Sequence, residues 1–162
     1  MAVPVWENWR WHADAVRGLA VVFDLDGVLS DAASRQHFIE GRRGDWDAFF
    51  EACGDDELIE EVARLLSLLD DKLAIVLLTA RPLRVRPQTL AWLHRYGLRW
   101  DLLVMRDHED YGAAREFKRR SVRELRDHGF ELRLAFEDDR RNVNMFHSEG
   151  VPCVYIHSGY YD

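Results

Sequence analysis

Leu19-Ala20-Val21-Val22-Phe23-Asp24-Leu25-Asp26-Gly27 joins five apolar residues to an abrupt pair of carboxylates. A short apolar run without polar alternation suits a strand buried on both faces, as in a parallel sheet. Four more runs of this kind follow: Leu73-Leu78, Asp101-Val104, Leu132-Phe136 and Cys153-Ile156. The segments between them repeat apolar residues at three and four. Leu58, Ile59, Val62, Leu65, Leu66 and Leu69 predict one helix after the acidic start Asp55-Asp56-Glu57. Pro87 opens a second helix that stops at Gly97, a third covers 113–127 before Gly129, and a fourth covers 142–149 before Gly150. Alternation of strand and helix predicts an α/β fold, with a central parallel sheet of about five strands flanked by helices. In such sheets the reactive groups gather beyond the C-terminal ends of the strands.

The residues at those ends are chemically pointed. Asp24 and Asp26 follow the first strand, Thr79-Ala80-Arg81 the second, and Glu137-Asp138-Asp139 the fourth. Carboxylates gathered so closely repel one another unless a cation joins them, and hard oxygen donors beside a phosphate suit Mg²⁺. Of Asp24 and Asp26, one can attack phosphorus while the other exchanges protons with the leaving group and then with water. Thr79 offers a hydroxyl and Arg81 a planar fork of donors to phosphate oxygens. Lys118, early in the third helix, can neutralise the nucleophile and the transferring group.

With these pieces in order, the chain resembles the haloacid dehalogenase (HAD) superfamily of phosphotransferases. Asp24-Leu25-Asp26-Gly27-Val28 is similar to its first motif, Thr79 to the second, Lys118 to the third and Asp138-Asp139 to the fourth. The resemblance implies a Rossmann-like core with Asp24 as the nucleophile of an aspartyl-phosphate and Asp26 as general acid and base. It also implies Mg²⁺ on Asp24, the Asp26 carbonyl and Asp138, with Asp139 as an additional candidate and Glu137 in support. An acid two places after the nucleophile resembles the phosphatases, and neither the dehalogenases nor the ion-pumping ATPases. Between Asp24 and Thr79 only 31–54 is left for a cap-like insertion, and the interval from Thr79 to Lys118 has no room for one. The expected organisation is an N-terminal extension, 1–17, then a phosphatase domain, 18–162, with a minimal cap and an open site.

A closer similarity is to the 3'-phosphatase module of phage and bacterial polynucleotide kinase-phosphatases. It rests on Val22 to Leu29, Asp45-Trp46-Asp47-Ala48-Phe49-Phe50, Thr79-Ala80-Arg81, Asp138-Asp139-Arg140 and Val154 to Tyr160. It implies a phosphorylated substrate, a nucleic-acid 3' end, and a separate kinase or ligase as partner, since no Gly-x-x-x-x-Gly-Lys-Ser/Thr loop occurs. Small phosphate esters, such as nucleotides or sugar phosphates, are the alternative substrates. A non-catalytic end-binding subunit is the alternative of another class. The net charge of -7, from 29 acids against 22 Lys and Arg, argues against a general nucleic-acid binder. That charge is unevenly placed: 24–71 is acidic, whereas 81–126 is basic and could track a phosphate backbone. Trp6, Trp9 and Trp11 read as packing or an association surface, and Cys53 and Cys153 as core residues. No apolar string approaches the ~20 residues that span a bilayer. A cytoplasmic protein without membrane contact is expected, and its oligomeric state stays open.

Overall fold

The computed structural model describes residues 6–108 and 110–161. Strand β1 is Trp9–Trp11, β2 Gly18–Phe23, β3 Ser30–Asp31, β4 Glu57–Leu58, β5 Ala74–Pro82, β6 Leu102–Arg106, β7 Phe130–Glu137 and β8 Cys153–Tyr155. The helices are α1 Trp46–Glu51, α2 Glu60–Leu68, α3 Arg86–Arg95, α4 Ala114–His128 and α5 Arg140–Ser148. Six strands form one sheet in the order β1-β6-β5-β2-β7-β8. Five of them run parallel, and they are the five apolar runs of the sequence. The sixth, β1, comes from the N-terminal segment and lies antiparallel on β6, pairing Trp9 with Val104 and Trp11 with Leu102. Trp9 is buried there and meets Trp11 and His128 edge-on, while Trp6 is exposed.

Alternate residues of the central strands face opposite sides of the sheet, so each strand feeds two cores. Val21, Phe23, Ile75 and Leu77 pack with Val62 and Leu66 of α2 and Trp92 and Leu93 of α3. Ala20, Val22, Val76 and Leu78 pack with Phe117, Val122 and Leu125 of α4 and Met145 and Phe146 of α5. Helix α4 ends where Gly129 adopts φ +116°, a left-handed turn that glycine adopts at little cost. Strand β5 outruns its apolar segment. It continues through Thr79-Ala80-Arg81 to Pro82, which pairs with Arg106 after a register irregularity. Residues 31–54 hold a 3-10 turn at Ala33–Phe38, the short α1 and a second 3-10 turn at Ala52–Asp55. The antiparallel ribbon of β3 and β4 brackets them.

Candidate active site

Asp24 directly follows β2, with its N–H donated to the Phe136 carbonyl of β7 at 3.1 Å. Its carboxylate is buried, and Lys118 of α4 reaches it at 3.1 Å. The same ammonium donates to Glu137 Oε2 at 2.7 Å. Glu137 Oε1 in turn accepts the N–H groups of Asp138 and Asp139 at 3.1 and 3.3 Å. Each of Asp24, Glu137 and Asp138 offers an oxygen within 4.8 Å of the others. One oxygen of Asp138 accepts from Ser158 Oγ at 2.7 Å, while the other, Oδ1, is buried without a partner. Gly27 makes this closeness possible: at φ +81° it turns the chain, and a β-carbon there would overlap the Asp138 carboxylate.

The electrostatics follow from three acids sharing one ammonium. Burial and then the Glu137 charge push Asp24 well above the usual carboxylate range, against the pull of Lys118. Burial and Glu137 likewise raise Asp138 to about 7. Burial alone would lower Lys118, but Asp24 and Glu137 outweigh it and hold the ammonium charged. An orphaned carboxylate oxygen in an anionic pocket is the environment a divalent cation relieves, so these residues fit Mg²⁺.

Asp26 lies in a second cluster. Arg81 Nη2 and Arg35 Nη2 both donate to its Oδ1 at 2.7 Å. Arg35 also clasps both oxygens of Asp56, at 2.7 and 2.6 Å, and stacks over Phe49. Arg81 spreads its remaining donors over Ser30 Oγ at 3.0 Å and Thr89 Oγ1 at 3.1 Å. Arg35, Arg81 and Asp56 are all buried. Burial would raise Asp26, but Arg81 and Arg35 outweigh it and hold its carboxyl below the ordinary range.

The sequence-predicted residues therefore divide. Asp24, Asp26, Thr79, Ala80, Arg81, Lys118 and Asp139 line a single cavity of about 580 Å³. Asp138 joins Asp24 through the carboxylate trio and faces a neighbouring hollow. Two of these residues also have partners within the protein. The Arg81 fork, expected on phosphate, points at Asp26, because its burial demands an anionic partner. Asp139, expected as a further metal candidate, caps α5 by accepting the Arg141 N–H at 2.9 Å and pairs with that residue's guanidinium. Glu137 stands in the carboxylate trio. The basic stretch is also largely neutralised. Arg119, Arg123 and Arg126 converge on Glu149, and Arg120 pairs with Asp110 and Glu124. Arg35, Asp56 and Ser158 were not singled out from the sequence. Asp56 read as part of a helix start, and Arg35 sits in a segment without apolar periodicity.

Residues 19–161 match the family model of the polynucleotide kinase PNKP phosphatase domain. Among solved structures, the chain is similar to one described as the Pnkp1/Rnl/Hen1 RNA repair complex, with 26% identity and a TM-score of 0.71. That match covers 91% of this chain and 45% of the other. A second, the structure of the Pnkp1/Rnl/Hen1 complex, matches with 28% identity and a TM-score of 0.73, covering 92% and 48%. The chain thus spans about half the length of the solved chains it resembles. No curated protein matches it.

Proposed function

The chain belongs to the polynucleotide kinase PNKP phosphatase domain family, a HAD-type phosphatase family, and from that premise we propose that it removes 3'-phosphates from polynucleotide ends. The observation that carries the chemistry is the buried Asp24 carboxylate held 3.1 Å from Lys118 at the floor of an open cavity. Asp24 attacks phosphorus, the bond from phosphorus to the 3' oxygen breaks, and that oxygen takes a proton delivered at Asp26. The Asp26 carboxylate then draws a proton from water, whose oxygen attacks the aspartyl-phosphate. Inorganic phosphate leaves and Asp24 is restored. Arg35 and Arg81 fix the Asp26 carboxyl, and by favouring its ionised form they suit it to the water step. They oppose protonation before the acid step, which runs through the Asp26 population that has taken up a proton from solvent and is then the stronger acid. Lys118 balances charge on Asp24 and on the transferring group.

Asp24 and Asp138, supported by Glu137, would hold Mg²⁺. Bound there, the ion supplies positive charge to the phosphoryl oxygens. The likeness to a repair complex supports end repair as the setting, with a separate kinase or ligase acting on the same ends. No helix among the described residues is long and apolar enough to cross a membrane. The likeness to an RNA repair complex supports a cytoplasmic setting.

The test compares turnover of a 3'-phosphorylated oligonucleotide, its 5'-phosphorylated counterpart and 3'- and 5'-mononucleotides, each with Mg²⁺ and with chelator. Release of phosphate from the 3'-phosphorylated oligonucleotide should be fastest and should require the metal. Faster turnover of mononucleotides would overturn the polynucleotide assignment.

A further inference from the structure

The catalytic groups occupy only part of the 580 Å³ cavity, whose volume is typical of sites that enclose a whole small molecule. Another part of its wall is aromatic and comes from α1, within the Asp45 to Phe50 stretch that the phosphoryl chemistry does not use. Trp46 is the first residue of α1, where the Asp45 carboxylate accepts the Ala48 N–H at 3.0 Å. Its indole meets Phe49 edge-on, with ring centres 5.4 Å apart, and Phe50 at 5.9 Å. Even so, 54% of Trp46 remains exposed beside the cavity. Helix α1 is tied to the opposite chain segment by Arg84, which pairs with Asp47 and Glu51, and by Gln88, which donates to Glu51 at 3.0 Å. The indole is therefore presented on a tethered helix rather than on a loose loop.

The cavity thus offers charge at its floor and a flat apolar face on its wall. A phosphate ester that satisfies both carries a planar aromatic group next to the phosphate-bearing sugar. A bare sugar would find polar partners in Gln36, Asp47 and Arg84 but would leave the Trp46 face without a flat apolar partner. Building on the polynucleotide reading above, we propose that the Trp46 indole is a stacking platform for the nucleobase of the 3'-terminal nucleoside. Every base has a π-face, so the contact grips the end without selecting its sequence. Trp46 is here a substrate-positioning residue and takes no part in phosphoryl transfer.

The experiment uses two 3'-phosphorylated oligonucleotides, one with an intact terminal nucleoside and one abasic at that residue, with glycerol phosphate as a base-free reference. Wild type should favour the intact end by about 10-fold in kcat/KM, mainly through KM, the size expected of one base on one aromatic ring. W46A should bring that preference close to one, and W46F should keep most of it. The proposal is overturned if W46A slows both oligonucleotides equally, or if the preference survives in W46A. If wild type hydrolyses glycerol phosphate but neither oligonucleotide, the polynucleotide reading itself fails, and the stacking proposal with it.

Discussion

The two buried charge clusters beneath the cavity are neighbours in sequence and opposites in design. Around Asp24, three carboxylates face the single ammonium of Lys118, and Asp138 keeps a buried oxygen without a partner. Around Asp26, two guanidiniums face two carboxylates, and Ser30, Thr89 and the Phe49 carbonyl take up donors left over. The first cluster is electrostatically incomplete and can accept a cation and a phosphoryl group. The second is closed and holds one proton-transferring carboxylate in place. The nucleophile thus sits where the charge balance is unfinished, and the proton-transferring Asp26 where it is finished.

Neutralising the incomplete cluster should separate activity from stability most widely. D24N should lower phosphate release by at least about 10³-fold, as loss of a nucleophile does. Its melting temperature should stay at or above that of wild type, because a buried charge repelled by Glu137 has been removed. A folded D24N with substantial turnover would break the contrast at once.

Breaking the closed cluster should instead unfold. R35A leaves Asp56 buried without its clasp, and loss of one partner of a buried pair costs about 3–5 kcal/mol. Urea titration measures this directly, and a loss below about 1 kcal/mol would show that the cluster is not the rigid support described. Metal binding sharpens the other half of the comparison. Mg²⁺ at 100 times its dissociation constant should stabilise wild type by about 2.7 kcal/mol, and D138N should lose most of that gain. An undiminished Mg²⁺ response in D138N would move the cation away from Asp138.

The surface supplies the smallest effect and a calibration. Glu149 gathers Arg119, Arg123 and Arg126, and hydrogen bonds from Arg119 and Arg123 hold it below its ordinary 4.5. Its contribution to stability is therefore present above that ordinary value and fades as pH falls through the lower folded value. E149Q should lower stability slightly at neutral pH and leave the acid end unchanged, so that the acid side of the stability curve flattens. A neutral-pH loss as large as that of R35A would erase the distinction between buried and exposed clusters.

The five parallel strands could be read from sequence because burial on both faces leaves uninterrupted apolar runs. Strand β1 could not: Trp9-Arg10-Trp11 is three residues long, and its place depends on a partner, β6, far along the chain. The same distinction runs through the site. Asp24, Asp26, Thr79 and Lys118 belong to local patterns, whereas Arg35 and Asp56 gain meaning only when the fold brings them 2.6 Å apart. Arg81 shows the limit of reading side-chain chemistry without burial. A guanidinium can serve phosphate or carboxylate equally well, and in the folded chain the buried Arg81 donates to Asp26, a partner that its sequence position does not announce.

The central sheet tapers from the nine-residue β5 at its middle to three residues at either margin, in β1 and β8. Long hydrophobic strands with unpaired backbone recruit other chains into growing assemblies. Here β1 covers 102–104 of β6 and β8 covers 135–137 of β7, whereas 130–134 of β7 have no strand partner on that side among the described residues. Removal of residues 9–11 would bare the flank of β6 as well, and should make concentrated preparations more prone to edge-to-edge aggregation.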